Sequence, residues 1–167
     1  MLEKIKNTGI TPGLHFLHTH IGLLSRYVTP VADHRLNVTR RFTLAKALEK
    51  DDTVVYVEQN PEGTVMADRC RVLMFGGELI SYESYETGPN RFIGCKRGQH
   101  GPMIESHPMG LTGGILDVSE FGGTSVYLDQ NSSIQDEIAN KIADAYNAGF
   151  QFVYYDGSEG TNPPFEF

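Results

Sequence analysis

Apolar and polar positions follow two different rhythms along this chain, and the change of rhythm divides it into three stretches. Near the C-terminus, "SSIQDEIANKIADAYNAG" places Ile134, Ile138, Ile142 and Tyr146 at every fourth residue, with Ala139 and Ala143 widening the stripe. That period puts one apolar face on a helix. Ser132 or Ser133 can cap its start, Asp136 and Glu137 suit the positive end of the helix dipole, and Gly149 supplies a left-handed stop. Before the helix, "GTSVYLDQN" (123–131) reads as a strand running into a loop. After it, "FQFVYYDG" (150–157) is short and nearly all apolar, as a strand in a parallel sheet covered by helices must be. Strand, helix and strand within about 35 residues predict a right-handed βαβ unit.

At the other end, "LEKIKNTGI" predicts the last turns of a helix ending at Gly9, and "TPGLHFLHTHI" the strand after it. Between Phe42 and Ile115 the rhythm shifts to short strand-like runs: "TVVYVEQ", "TVMADRCRVLMF", "LISYESYE" and "RFIGCKRG". Pro61-Glu62-Gly63 and Gly76-Gly77 separate them as turns. Only "TLAKALEK" (43–50) predicts a helix there. Alternation within the runs predicts an antiparallel subdomain packed by Val54, Tyr56, Val72, Met74, Leu79 and Ile93.

The predicted fold class is therefore α/β: a partial (β/α) barrel interrupted by an antiparallel β-rich subdomain. Residues 1–35 would be a barrel helix, strand and loop, residues 36–118 the β-rich insertion, and residues 119–167 the barrel β-α-β unit. An incomplete barrel leaves strand edges and helix faces open, and the rest of the parent barrel is expected to cover them.

Composition narrows the partners. The 167 residues fit one ordinary domain, and 40% hydrophobic content supplies a core. No run approaches the roughly 18 consecutive apolar residues of a membrane span. A net charge of −7 without a Lys/Arg-rich run argues against nucleic acid. Arg40-Arg41 and Lys96-Arg97 read as local anchors. Cys70 and Cys95 form no C-x-x-C, which excludes a zinc ribbon or redox pair and leaves buried thiols or a disulfide open. "MLEKIKNTGI" lacks the apolar segment and cleavage site of a signal peptide, and both ends read as cuts through a larger fold. "FGGE", "LTGGI" and "EFGGT" fit no nucleotide-binding glycine motif, and no cofactor is predicted.

In a parallel barrel, reacting groups gather at the carboxyl ends of the strands. His15, His18 and His20 fall on or just after the first strand, Asp129 after the second, and Asp156 with Glu159 after the third. Asp129 reads as a helix cap. Asp156 closes an apolar strand and precedes a glycine, and a carboxylate there is costly unless it points into a polar cavity. Glu159 either shares that pocket or faces solvent. Paired carboxylates suit glycosidic chemistry, with one as acid and the other as base or nucleophile. His18-x-His20 has the spacing of two metal ligands on one strand face. His34, His100 and His107 fall in the β-rich stretch, so no metal site is predicted. Tyr82 and Tyr85 in "SYESY" alternate, and read either as an exposed sugar-binding face or as a packed sheet edge.

"GLHFLHTHI" with "YVTPVADHRL", "RFIGCKRGQHG…SHPMG" and "QDEIANKIADAYNAGFQFVYYDGSEG" together carry a resemblance spanning Gly13 to Gly160. They resemble large bacterial polysaccharide-degrading proteins built on glycoside-hydrolase-type (β/α)8 barrels. "YYDGSEG" is similar to the strand-end Asp segment of α-galactosidase-like members, where such an Asp is the nucleophile. The resemblance implies hydrolysis of glycosidic bonds, with Asp156 as nucleophile or base and Glu159 as its partner. It places His15, Arg97 and His107 at or near the pocket, and these with Tyr155 are the candidate substrate-binding residues for an oligo- or polysaccharide. A secreted or periplasmic location goes with it. The alternatives are a polysaccharide lyase acting on uronic-acid glycans and a non-catalytic carbohydrate-binding or scaffold domain. In the lyase, an Arg or His would neutralise the uronate while a Tyr or His abstracts a proton.

Overall fold

The computed structural model describes residues 2–119, 121 and 123–156. Its elements run α1 (Leu2–Lys6), β1 (Gly13–Phe16), β2 (His20–Gly22), β3 (Val38–Thr43), β4 (Val55–Tyr56), β5 (Val72–Phe75) and β6 (Glu78–Ser81). They continue with β7 (Ser84–Glu86), β8 (Arg91–Ile93), β9 (Thr112–Leu116), β10 (Ser125–Tyr127), α2 (Ile134–Asn147) and β11 (Phe152–Tyr155). The chain divides into two compact units, Ile21–Tyr127 and Met1–His20 with Leu128–Phe167.

The Ile21–Tyr127 unit is antiparallel β. One sheet has the order β3-β9-β5-β6 and another β4-β8-β7, all neighbours antiparallel. The "VLMFGGELI" segment makes the β5–β6 hairpin, and every residue of β5 is buried. Phe42, Leu44, Leu73, Phe75, Ile80 and Ile115 meet Val55, Val57, Phe92 and Cys95 in one core. Phe92 lies at its centre, edge-on to Phe42 at 5.2 Å between ring centroids and tilted against Tyr82 at 4.8 Å. Burying an aromatic or large aliphatic side chain of this kind stabilises a fold by about 1.5–3 kcal/mol.

Within this unit two details depart from the sequence reading. Val55 and Val57 are the core residues of their run, while Val54 and Tyr56, and likewise the predicted packing residue Ile93, are only partly buried. The pattern "TVVYVEQ" fits either phase, and a slip of one residue exchanges the two faces of a strand. The helix predicted over residues 43–50 does not form. Leu44 and Leu48 have helical spacing, but their amides donate to the carbonyls of Leu111 and His107. Cross-strand pairing satisfies the backbone that a helix would otherwise have paired internally.

In the other unit, β1 and β11 pair in parallel, with Gly13 opposite Phe152 and Phe16 opposite Tyr155. The periodic segment 134–147 is helical as α2 and buries Ile134 and Ile142. Its start differs in detail: Ser133 stands at the cap position but makes no side-chain cap bond. Asp129 turns the chain instead, accepting the Asn131 amide at 2.9 Å, while Ser132 Oγ donates to the Asp129 carbonyl. The expected βαβ unit is not formed as such. β10 pairs with β2, whereas β11 pairs with β1, so the strands flanking α2 lie in different sheets.

The α/β barrel class and the barrel resemblance are thus corrected. Among the described residues strand makes up 32% and helix 12%, in several antiparallel sheets with two helices, one of only five residues. A (β/α) barrel needs a parallel strand before every covering helix, and β1–β11 is the one parallel pair among the described residues. The local signals around α2 are those of a parallel element. They do not propagate into the β-rich stretch, where hairpins close the sheets. No helix among the described residues is long and apolar enough to cross a membrane.

Candidate functional site

Strand alternation builds one candidate site in the β1–β11 unit. Residues two apart share a face, and opposite residues in register share it too. Gly13 and His15 on β1 therefore lie on the same side as Phe152, Tyr154 and the following Asp156 on β11. The Asp156 amide continues the ladder by donating to the Phe16 carbonyl at 2.9 Å. Across this face His15 Nε2 and Asp156 Oδ2 are 3.0 Å apart. The imidazole also stacks on Tyr154, with ring centroids 5.3 Å apart and planes 29° from parallel. Phe152 lies flat over Gly13, where an added Cβ would come within 2.2 Å of its ring. The side chains of His15 and Asp156 are 60% and 43% exposed, so the pair is open to a ligand.

Tyr155 falls on the opposite face. It meets His18 edge-on at 4.9 Å and, with Ile138 and Ile142 of α2, lines a small cavity of about 110 Å³. Burial lowers the His18 pKa, so this ring is neutral at neutral pH. His18 Nδ1 is buried without a hydrogen-bond partner among the described residues. Glu159, the second predicted catalytic carboxylate, lies outside the described residues.

Arg97 and His107 gather elsewhere, in the Ile21–Tyr127 unit, around Glu78. The β5–β6 turn sets Glu78 at the start of β6, 1% exposed. Its carboxylate accepts Arg97 Nε at 2.7 Å and Nη2 at 2.6 Å, His107 Nε2 at 2.9 Å, and the Gly98 amide at 3.1 Å. The Glu105 amide adds a longer bond of 3.4 Å. Arg97 in turn donates to the carbonyls of Glu49 and Glu105. Burial raises the Glu78 pKa, but the bonds from His107 and Arg97 outweigh it and hold the carboxyl at about 2. Arg97 and His107 are 5% and 6% exposed. Nothing here is open to substrate. The cluster ties residues 49, 78, 97, 105 and 107 together.

Glu78 was not singled out from the sequence, although a signal was present. An acidic residue inside "VLMFGGELI" is costly unless partnered, the argument that draws attention to Asp156. Cys70 and Cys95 are both free thiols, and burial pushes the Cys95 thiol up to about 12, which makes it inert. Tyr82 is buried and donates to the Val65 carbonyl at 2.5 Å, so it offers no exposed sugar platform. No group of three or more His, Cys, Asp or Glu among the described residues is placed to hold a metal ion.

Comparison with family models, with curated proteins and with solved structures gives no match for this chain, so the glycoside-hydrolase resemblance has no support from relatives.

Proposed function

We propose that this chain acts on carbohydrate by general acid–base chemistry at the His15–Asp156 pair. The observation that carries the reading is their 3.0 Å hydrogen bond between exposed side chains at the carboxyl ends of adjacent parallel strands. With its proton on Nε2, His15 donates to the carboxylate and keeps Nδ1 as a basic nitrogen. Asp156 orients the ring and balances the imidazolium charge that forms when Nδ1 takes a proton. His15 is then the proton acceptor, and Asp156 works through it.

The neighbouring side chains support a sugar as the partner. Phe152 and Tyr154 present half-exposed rings on the same face. Aromatic rings cover the C–H faces of sugars, while carboxylate and imidazole bond to hydroxyls. The base serves either of two reactions, activation of water against a glycosidic bond or proton abstraction beside a uronate carboxylate.

His15→Gln and Asp156→Asn, assayed on neutral and uronate-containing oligosaccharides, test this. Turnover should fall by roughly 10²–10⁴-fold in each variant, with circular dichroism unchanged. New reducing ends alone identify hydrolysis, and an unsaturated, ultraviolet-absorbing product identifies elimination. The reading fails if wild type turns over neither class, or if both variants keep rates within a fewfold of wild type.

A further inference from the structure

The Ile21–Tyr127 unit contains a cavity of about 500 Å³, within the range of small-ligand sites. Arg69, Arg71 and Lys96 line it, and Glu83 is the one carboxylate among its described lining residues. This balance is the reverse of the chain's overall charge of −7. A local excess of positive charge on an acidic protein focuses anions at that place.

The cations stand on braced supports. Arg71 pairs with Asp68 at 3.0 Å and donates to the Met66 carbonyl, which fixes its course along the cavity wall. Lys96 and Ser81 exchange both backbone hydrogen bonds, at 2.9 and 3.0 Å, so the ammonium stem leaves a rigid bridge. Arg69 packs against Gly123, where an added Cβ would come within 2.7 Å of the Arg69 Cβ.

The backbone points to the same place. Among the described residues three that are not glycine have positive φ: Arg69 at 66°, His100 at 66° and Asn90 at 47°. Asn visits this region readily, and Arg does not. Two of the three line this cavity. Such conformations persist only where the surroundings hold them, and they gather at ligand sites. Burial lowers the His100 pKa, so its ring is a neutral donor and acceptor beside the cations.

We propose that this cavity binds a small hydroxylated oxyanion, a sugar acid or a sugar phosphate. Arg69, Arg71 and Lys96 supply the positive charge, and Gln99, His100 and Thr124 supply groups for hydroxyls. Guanidinium groups bind carboxylate and phosphate through the same fork of donors, so the two anions share one recognition chemistry. The site stands independently of the His15–Asp156 pair.

A nuclear magnetic resonance titration of the full chain tests it, with glucuronate and glucose 6-phosphate as ligands and glucose as the neutral control. Saturable shifts should appear at amides 69–72, 81–83, 94–100 and 123–124 with at least one anion and not with glucose. Which anion binds tells carboxylate from phosphate ester. Lys96→Gln and Arg69→Gln should each weaken binding about tenfold, and Lys96→Glu by more. Lys96→Arg should retain it. The dispersion of each spectrum reports folding. The proposal falls if neither anion saturates, if glucose binds as well, if the shifts map elsewhere, or if a folded Lys96→Glu protein keeps wild-type affinity.

Discussion

Glu78 with His107 and Asp156 with His15 are the same chemical pair in two settings. The bonds are nearly equal in length, 2.9 and 3.0 Å. Glu78 is 1% exposed and also receives Arg97 and backbone amides, so every lone pair has work within the fold. Asp156 is 43% exposed, and its histidine partner is more open still. Removing charges from water is expensive, and only a full set of partners offsets that cost. The buried pair therefore serves the fold, while the open pair is left able to exchange protons with a ligand. Bond length does not separate the two roles. Solvent access does.

Glu78→Gln should break the buried cluster most severely. It keeps the shape but leaves the Arg97 guanidinium buried without its counter-charge, at a cost of about 3–5 kcal/mol. Urea denaturation of the purified protein measures this, and a loss below about 1 kcal/mol would show that the cluster is not structural.

Acid should reach the same cluster through protonation. The Glu78 carboxyl is held at about 2 in the fold against an ordinary 4.5. A depressed carboxyl contributes stability that is fully present above the unfolded pKa and is lost as pH falls through the folded one. Stability should therefore decline between pH 4.5 and about 2, by roughly 3 kcal/mol from this group. The decline should be shallower by that amount in Glu78→Gln, as urea midpoints taken along the pH series would show.

The strand register can be tested with smaller changes. Val55→Ala should cost about 2 kcal/mol, since it opens a hole beside Phe92, while Val54→Ala should stay within about 0.5 kcal/mol. Equal costs, or the reverse order, would mean that the run faces the core in the other phase.

Asp156→Asn should change stability least, by less than about 0.5 kcal/mol, because an exposed pair contributes little. A loss of several kcal/mol would place Asp156 with Glu78 as a structural carboxylate and remove the basis for the proposed chemistry.

Local rhythm explains how much could be read before the structure. The four-residue spacing of Ile134, Ile138 and Ile142 identifies α2, since only a helix gathers those positions on one face. The turn at Gly76-Gly77 is equally plain, whereas the run "TVMADRCRVLMF" is a strand only over its last four residues and "LISYESYE" divides between β6 and β7. Asp156 stands out because a carboxylate after an apolar strand requires a reason, and it does meet His15. Other features left no local trace. The spacing of Leu44 and Leu48 suits a helix, but their partners Leu111 and His107 lie about sixty residues away. The opposed valine phases of "TVVYVEQ" are equally apolar, and Phe92 from another strand decides between them.

What the sequence determined by itself is the kind of element in most places: a helix at α2, short strands through the middle, acidic charge and a chain rich enough in apolar residues for a core. Those properties arise from neighbours within a few residues. Which strands pair, and whether Arg97 and His107 meet a ligand or a buried glutamate, was decided only by tertiary structure. Sheet pairing and burial join residues far apart in the chain. The energy that selects them comes from filling one shared core and satisfying every buried polar group at once.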